Sequence, residues 1–270
     1  MNFKKKYLGV GKTLNLNLRI SVANLAQVFF IDPRTKALKM VLEHNALFND
    51  GDVRMDLRPF GGGCKLLRPD KLYEVIGSFN FDCLKNFNND DFRIYIKSDD
   101  WTIVRNFCLN SFWQHDGYIE SSVSRELSEE MQYSGINISS NSYHLQDIGP
   151  IVQSEEGEET INTHACGALT KRIFNIQNVQ IKDDQVIQEI LDHVEQKSLE
   201  YMRAKSLEKK KTINGVFVLD LETLKLMADM SNRGEEEIII NETRYRISTN
   251  IPDIIKTREM TKILDNFIPK

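Results

Sequence analysis

The sequence lacks long apolar runs and has few cysteines. No apolar run approaches the roughly 18 residues that a transmembrane helix needs, and no charged-then-apolar leader with a small-residue cleavage site opens the chain. The four cysteines Cys64, Cys83, Cys108 and Cys166 are scattered and lack the paired spacing of zinc or redox motifs. We therefore expect a cytoplasmic protein with reduced cysteines and no contact with a membrane.

The sequence also lacks an excess of charge of one sign. Its 270 residues carry 35 lysines and arginines against 39 aspartates and glutamates, which gives a formal net charge of −4. This balance provides no long-range attraction to nucleic acid or to an anionic membrane. We therefore expect no direct binding to nucleic acid. The length suits one large domain with additions or two small ones.

The segment from Glu120 to Tyr133 carries the strongest functional signal. Val123, Leu127 and Met131 recur every fourth residue, which predicts a helix with one apolar side. Three glutamates lie beside that stripe, and each close pair repels by about 0.2–0.5 kcal/mol. Arg125 and a divalent cation such as Mg²⁺ could offset this repulsion, although a solvated helix face fits the same pattern. The three glutamates are Glu126, Glu129 and Glu130.

The densest glycine cluster lies in the sequence RPFGGGC, from Arg58 to Cys64. Glycine loses more conformational freedom on folding than any other residue, so three in succession require a reason. One interpretation is a turn whose backbone closely approaches a ligand. The alternative is an ordinary loop. The three glycines are Gly61, Gly62 and Gly63.

Hydrophobic periodicity and turn residues predict strands and helices along the whole chain. A hairpin is expected from residues 18–31 and 37–43, with its turn at Asp32-Pro33. Residues 65–90 have weak periodicity and receive no assignment. Further strands are predicted at 91–97, 143–148, 164–176 and 216–219 and in a hairpin at 237–247, and helices at 101–108, 183–211, 220–230 and 252–264.

The sequence RELSEE at Arg125–Glu130 resembles the distal half of the Nudix box, in which an Arg-Glu pair precedes a Glu-Glu pair by two residues. The order of residues in Pro59–Gly62 resembles the Pro-x-Gly-Gly turn of the same family. Two positions depart from the box. Gly117 stands where a further glutamate is usual, and Gln132 stands where a glycine is usual.

A long segment separates the glycine turn from the helix, and in this the chain is similar to the SMODS-associated Nudix family, found beside bacterial nucleotide second-messenger synthases. That family follows its turn with an Asp-x-Arg strand, an aromatic pair, a glutamate and an Arg-Glu-x-x-Glu-Glu helix. The matching positions here are Pro59–Gly62, Asp91–Arg93, Phe112-Trp113, Glu120 and Arg125–Glu130, and the family's closing helix matches Ile255–Leu264.

The resemblance implies an α/β fold of Nudix type. This is an α/β/α sandwich with a mixed sheet, a long insertion and a helical C-terminal extension. The implied organisation is an N-terminal segment at 1–17, a Nudix-like domain at 18–182 with its insertion at about 66–115, and an extension at 183–270 packed on that domain.

The implied activity is metal-dependent hydrolysis of a phosphoanhydride or phosphodiester in a nucleotide derivative, with Mg²⁺ or Mn²⁺ as the cofactor. The implied setting is bacterial antiviral defence or nucleotide second-messenger signalling. The alternative is a catalytically weak or inactive Nudix-fold sensor that binds a nucleotide and signals through a partner protein. The resemblance assigns catalysis to Arg125, Glu126, Glu129 and Glu130, of which the three glutamates would hold the metal, nucleotide binding to Gly61, Gly62, Gly63 and Trp113, and accessory roles to Glu120 and Arg93.

Other residues have a functional and a structural interpretation. Trp113 and Phe81 could stack on a base, although most aromatic residues of this segment are expected in the core. His115 and His164 could act as acid or base, although a lone histidine is more often structural. The acidic loop at 154–160 could supply a further metal ligand, or it could be a solvated surface loop.

Overall fold

Strands and helices alternate along the computed structural model. It describes residues 3–49, 52–153, 155–159, 165, 167–205, 211–220, 223, 237–240 and 243–247. Its helices are α1 (Phe3–Tyr7), α2 (Pro69–Ile76), α3 (Leu84–Asn89), α4 (Trp101–Gln114), α5 (Ser124–Tyr133) and α6 (Asp184–Lys205). Its strands are β1 (Gly9–Val10), β2 (Leu18–Ile31), β3 (Leu38–Asn49), β4 (Asp52–Arg58), β5 (Phe60–Gly63), β6 (Asn80–Phe81), β7 (Arg93–Ile96), β8 (Tyr143–Val152), β9 (Glu158–Glu159), β10 (Leu169–Ile181), β11 (Lys211–Asp220), β12 (Glu237–Ile240) and β13 (Thr243–Ile247).

The predicted hairpin near the start of the chain is confirmed by β2 and β3. These strands pair antiparallel, with Val28 opposite Val41 and Ile31 opposite Leu38. The carboxylate of Asp32 shapes the turn, since its Oδ1 accepts a hydrogen bond of 2.8 Å from the backbone N–H of Arg34. An aspartate that binds the backbone two residues on is the usual device of such a turn.

The strands predicted at 91–97, 143–148, 164–176 and 237–247 correspond to β7, β8, β10 and the pair β12–β13. Helix α4 buries Trp101, Val104 and Cys108, as predicted. The helix predicted at 183–211 is confirmed only in part, because α6 ends at Lys205 and Lys211 begins β11. That strand pairs with β3 over ten residues, and such pairing outweighs local helix preference. Apart from residues 220 and 223, the helices predicted at 220–230 and 252–264 lie outside the described residues.

The chain divides into two compact units. The first unit contains Met1–Leu25, Gly61–Val123 and Ile148–Ile176, and the second unit contains Ala26–Phe60, Ser124–Asp147 and Gln177–Lys270. Each unit contains helices together with parallel and antiparallel strand pairs. The α/β class with a mixed sheet is therefore confirmed. The domain boundaries expected after residues 17 and 182 stay predictions.

The first unit is built around β7. This strand pairs antiparallel with the first part of β2 and with β6, which in turn pairs parallel with β1. Much of its core comes from the segment expected to be an insertion at about 66–115, so this segment is part of the folded centre of the unit. The buried members from that segment are Leu66, Leu72, Ile76, Phe79, Phe81, Phe92, Ile94, Ile96, Trp101, Val104, Cys108 and Phe112.

The second unit is built around β3, which pairs antiparallel with β2, β4 and β11, while β13 pairs parallel with β4. His44 lies opposite Leu57 and Gly215 on one face of the sheet. Glu43 and Arg58 lie opposite each other on the other face, because side chains alternate along a strand. The described part of the C-terminal extension contains the helix α6 and also the strands β11, β12 and β13, so it is not built of helices alone.

Candidate active site

The apolar side of the glutamate helix is buried. Helix α5 begins at Ser124, and Val123, Leu127 and Met131 are each 0% exposed. The predicted apolar stripe is therefore confirmed, and burying each such side chain stabilises the fold by about 1.5–3 kcal/mol. Because these residues fix the rotation of α5 about its axis, they also fix the direction in which its polar side chains point.

Arg125 forms ion pairs with two of the three predicted metal ligands. Its Nη2 lies 2.6 Å from Oε1 of Glu126, and its Nη1 lies 3.4 Å from Oε2 of Glu129. The Glu126 side chain is 15% exposed, whereas that of Glu129 is 55% exposed. The guanidinium therefore offsets the repulsion between the carboxylates, and more strongly at Glu126, where less water screens the pair.

The third predicted ligand, Glu130, affects the pKa of Arg58, a residue that the sequence did not single out. Nε and Nη2 of Arg58 donate to the two carboxylate oxygens of Glu43, each at 2.7 Å. This hydrogen bonding with Glu43 raises the pKa of Arg58, and the charge of Glu130 raises it further. The cross-strand position of Arg58 and Glu43 follows from the pairing of β3 with β4. A sequence pattern could find it only if β4 were first predicted as a strand.

The carboxylates of α5 are the type of ligand that a divalent cation prefers. Their present arrangement does not form a metal site. Carboxylate oxygens are hard donors, which Mg²⁺ and Mn²⁺ prefer. Within the described ranges, however, no group of three or more His, Cys, Asp or Glu side chains is arranged to hold a metal ion. Glu126, Glu129 and Glu130 would have to turn from their present contacts to do so, and their role as ligands stays a prediction.

The glycine run forms a strand and not the predicted turn. Residues Phe60–Gly63 are β5, which pairs with β2. Gly61 has a φ of +143°, and a Cβ there would lie 2.1 Å from the carbonyl oxygen of Asn24. A Cβ on Gly63 would lie 2.3 Å from Oδ1 of Asp91. Glycine is needed here because protein atoms already occupy the space of a side chain, and contact with a nucleotide stays a prediction.

The two predicted accessory residues, Glu120 and Arg93, are anchored near the residues that follow β5. Glu120 donates its N–H to the carbonyl of Lys65 at 2.9 Å, and its Oε2 accepts a hydrogen bond of 3.2 Å from the N–H of Lys65. Arg93 donates from Nη1 to the carboxylate of Asp91. Lys65 and Asp91 also form an isolated antiparallel bridge. The first unit therefore brings both accessory residues to one short stretch of backbone.

The two aromatic residues proposed for base stacking differ in exposure. Trp113 is 62% exposed, and its six-membered ring packs against Gly149, where a Cβ would lie 2.3 Å from Cη2 of the indole. Phe81 is 0% exposed and packs its ring edge-on against Phe87, with centroids 5.5 Å apart. Base stacking by Phe81 is therefore wrong because the ring lies in the core. Stacking by Trp113 stays a prediction.

The acidic loop is held by cations and by an indole. Oε2 of Glu155 accepts a hydrogen bond of 3.0 Å from Nε1 of Trp101, and its Oε1 lies 3.3 Å from Nε of Arg105. Glu158 pairs with Arg172 at 2.9 Å. These contacts fit the surface-loop interpretation, and a metal-binding role stays a prediction. Of the two candidate histidines, His115 ends α4 in an exposed position, and His164 lies outside the described residues.

A pair of buried histidines in the second unit was not predicted. His44 is 1% exposed, and burial lowers its pKa to about 4. Burial also lowers the pKa of His193 on α6. A Cβ on Gly215 would lie 2.7 Å from Nε2 of His193 and 3.0 Å from Cε1 of His44. The position of His44 between Leu42 and Ala46, two residues from each, was the available signal, since alternation places it on the apolar side of β3.

No family model matches the sequence, and no curated protein or solved structure gives a match. In the part of the chain that the structure describes, no helix has the length and apolarity to cross a membrane. The molecule is an α/β protein with a mixed sheet, in which a buried apolar stripe orients a helix of paired carboxylates. The arrangement of these carboxylates is the basis for proposing a more specific family and activity.

Proposed function

We propose that this chain is a metal-dependent hydrolase that cleaves a phosphoanhydride or phosphodiester in a nucleotide derivative. The observation that carries the proposal is the contact of Arg125 with both Glu126 and Glu129 on a helix whose apolar side is buried. This is the role that the Nudix resemblance assigns to these residues. We propose a Nudix-type fold for the same reason, and a setting in bacterial antiviral defence or nucleotide second-messenger signalling.

The side chains of α5 would prepare the site for a divalent cation. When bound, Mg²⁺ or Mn²⁺ would neutralise charge on the phosphate and lower the pKa of an attacking water. Arg125 keeps Glu126 and Glu129 on one side of the helix by offsetting their repulsion. Glu130, near Arg58, would complete the set of carboxylates. Because the apolar stripe is buried, these groups would converge on a cation by rotation of their side chains.

The Nudix resemblance assigns nucleotide binding to residues of the first unit. Trp113 is 62% exposed, which suits stacking on a base. The same resemblance assigns nucleotide binding to the backbone of Gly61, Gly62 and Gly63 and accessory roles to Glu120 and Arg93. The protein would act in the cytoplasm on a nucleotide-derived small molecule, with a protein of the same defence system as its partner.

The first test is a screen of nucleotide derivatives with Mg²⁺ or Mn²⁺ that follows released phosphate, nucleoside monophosphate and cyclic products. In the variant Glu129→Gln, turnover should fall by about 100-fold or more, because a lost carboxylate ligand weakens charge stabilisation in the transition state. The free energy of unfolding without metal should change by no more than about 0.5 kcal/mol, since the side chain is largely exposed.

The matched control is Glu74→Gln on α2. Glu74 is also a helical glutamate beside a cation, with its side chain 58% exposed and 2.8 Å from Lys71. Its replacement should leave both turnover and stability unchanged, because α2 carries none of the proposed ligands. Turnover of wild-type magnitude in Glu129→Gln would remove α5 from the mechanism.

A nucleotide sensor that signals through a partner is the second candidate. It is favoured by Gly117, which stands at a position where the Nudix box has a glutamate. A wild-type protein that binds a nucleotide in calorimetry but never converts it would establish this function and refute the hydrolase.

A further inference from the structure

An arginine and a glutamate lie opposite each other where β4 ends, in the second unit. Arg58 on β4 is the partner of Glu43 on β3 in the register of this antiparallel pair. Nε and Nη2 of Arg58 donate to different oxygens of the Glu43 carboxylate, each at 2.7 Å. Two parallel hydrogen bonds between ions fix the plane of the guanidinium as well as its position.

The carboxylate of Glu43 occupies only one edge of this guanidinium. Arginine has five N–H groups, and Glu43 binds one on Nε and one on Nη2. Nη1 has no hydrogen-bond partner in the part of the chain that the structure describes. The Arg58 side chain is 58% exposed, whereas that of Glu43 is 19% exposed. The edge formed by Nη1 and the second N–H of Nη2 is therefore accessible to an oxyanion from solvent.

Arg58 lies on the same side of the sheet as a glutamate of α5. Side chains alternate along a strand, so Glu43 and Arg58 lie on the face opposite to His44. Helix α6 contacts the His44 face through the hydroxyl of Tyr201. Hydrogen bonding with Glu43 is the main cause that raises the pKa of Arg58, and the charge of Glu130 adds to it. Arg58 and α5 belong to the same unit, so this neighbourhood lies within one folded body.

A guanidinium beside the carboxylates of α5 suits the binding of phosphate. The planar fork of an arginine matches two oxygens of a phosphate group, which the point charge of a lysine does not. Mg²⁺ in proteins is commonly bound by one or two carboxylates together with phosphate oxygens of the substrate. A phosphate group at the carboxylates of α5 would therefore lie in the neighbourhood of Arg58.

We propose that Arg58 binds a phosphate group of the nucleotide derivative and that Glu43 is its positioning residue. This inference rests on the proposed function, because it names a substrate-binding residue of the same site. Nη1 and the second N–H of Nη2 would donate to two phosphate oxygens. The Glu43 carboxylate would hold the guanidinium in the required plane without touching the substrate.

Two variants of Arg58 and one matched control test its role. Arg58→Lys keeps the positive charge but loses the planar fork, and Arg58→Gln loses the charge as well. The control is Arg68→Lys. Nε and Nη2 of Arg68 bind the two oxygens of Asp70 at 2.9 and 2.6 Å, and its side chain is 49% exposed. The control therefore has the same fork to a carboxylate, but it lies in the first unit, which carries none of the proposed metal ligands.

The first measurement is calorimetric titration with inorganic pyrophosphate in the presence of Mg²⁺. The dissociation constant should rise at least about tenfold in Arg58→Lys and at least about 30-fold in Arg58→Gln, because paired hydrogen bonds to an oxyanion are lost. In Arg68→Lys it should stay within about twofold of the wild type, since an exposed ion pair elsewhere contributes little. A wild-type protein that binds no pyrophosphate, or Arg58 variants that bind it as the wild type does, would overturn the proposal.

The second measurement tests the positioning role of Glu43. Glu43→Gln keeps the shape of the side chain but removes its charge and one acceptor oxygen. The dissociation constant of pyrophosphate should rise about fivefold, because the guanidinium is no longer held in one plane. In the Arg58→Lys background the same change should add less than about twofold, because the two residues act through one contact. Independent effects, or tighter binding in Glu43→Gln, would refute the positioning role.

Turnover separates this proposal from the hydrolase itself. In Arg58→Lys, kcat/KM for a converted nucleotide derivative should fall at least about tenfold. If the wild type binds pyrophosphate through Arg58 but converts no nucleotide derivative, the hydrolase is refuted and the phosphate-binding role stands. If the wild type is active and Arg58→Lys keeps its kcat/KM, the hydrolase stands and the role of Arg58 is refuted.

Discussion

The two units each bury a pair of polar side chains, but the pairs differ in chemistry. In the first unit, the amides of Asn24 and Asn175 direct their N–H groups at backbone carbonyls. In the second unit, His44 and His193 meet above Gly215, and the hydroxyl of Tyr201 contacts Nε2 of His44. An amide keeps its donors at every pH, whereas an imidazole changes charge between pH 4 and pH 7.

This difference separates two ways to stabilise a buried polar site. The amide pair fixes a backbone segment and is insensitive to acid. The histidine pair is stable only while both rings are neutral, because burial lowers the pKa of His44 to about 4 and also lowers that of His193. We therefore expect the first unit to respond mainly to changes of shape, and the second unit to respond to pH.

The largest change in the free energy of unfolding is expected when a methyl group is added beside Asn24. In Gly61→Ala, the new Cβ would lie 2.1 Å from the carbonyl oxygen of Asn24. The alanine would also have to keep the φ of +143°, which a residue with a side chain rarely adopts. Overpacking and backbone strain together should lower the free energy of unfolding by about 4 kcal/mol. Urea unfolding followed by tryptophan fluorescence measures this, since both tryptophans, Trp101 and Trp113, belong to the first unit.

The matched variant is Gly215→Ala, beside His44 and His193. Its Cβ would meet the rings of His193 and His44 and the end of Lys197, which are side chains that can shift. The cost should therefore be smaller, at about 1 kcal/mol. If Gly61→Ala were no more costly than Gly215→Ala, the close packing of β5 on Asn24 would be refuted.

The fold was predictable from sequence where a local pattern and its partner lie close in the chain. The hairpin of β2 and β3 was found because Asp32 and Pro33 mark a turn between two apolar strands. Strand β4 was missed although Val53, Met55 and Leu57 alternate with charged residues, which is the local pattern of a strand. Lys211 was assigned to a helix because a positive charge near a helix end can be read from the local sequence. Its pairing with Phe48 joins residues far apart in the chain and cannot be read in this way.

The candidate site follows the same rule. Val123, Leu127 and Met131 predicted the buried side of α5, and the spacing of Arg125 and Glu129 fits their ion pair, because residues four apart are neighbours on a helix. The contact of Arg125 with Glu126 joins adjacent residues, and helical spacing does not predict it. The contact between Asn24 and Asn175 could not be found, since the two residues are 151 positions apart and carry no motif. It depends on strands that meet only in the folded chain.

The next prediction concerns His44, whose protonation should destabilise the folded protein as the pH falls. Its pKa is about 4 in the folded protein and about 6.5 in the unfolded chain, so the unfolded chain binds the proton more tightly. Stability is therefore full above pH 6.5 and is lost as pH falls towards 4. The loss should be about 2 kcal/mol between pH 7 and pH 5 and about 3 kcal/mol in all.

The measurement is urea unfolding at pH 7 and pH 5, followed by far-ultraviolet circular dichroism. The variant His44→Phe keeps a ring in the core but cannot take up a proton, so its loss on acidification should be smaller by about 2 kcal/mol. His193, Lys197, Glu200 and Tyr201 face the same site and remain in both proteins. An equal loss in the variant and the wild type would assign the acid sensitivity to other groups.

The smallest effect is expected at Asn178, three residues after Asn175 on β10 but in the second unit. Asn178 is 1% exposed, and neither its Oδ1 nor its Nδ2 has a hydrogen-bond partner among the described residues. A buried amide of this kind is unfavourable, so Asn178→Leu should raise the free energy of unfolding by about 1 kcal/mol. Asn175→Leu should lower it by about 2 kcal/mol, because it removes donors from Ser121 and Asn24. Urea midpoints of the two variants measure the contrast, and destabilisation by Asn178→Leu would mean that this amide also binds a partner.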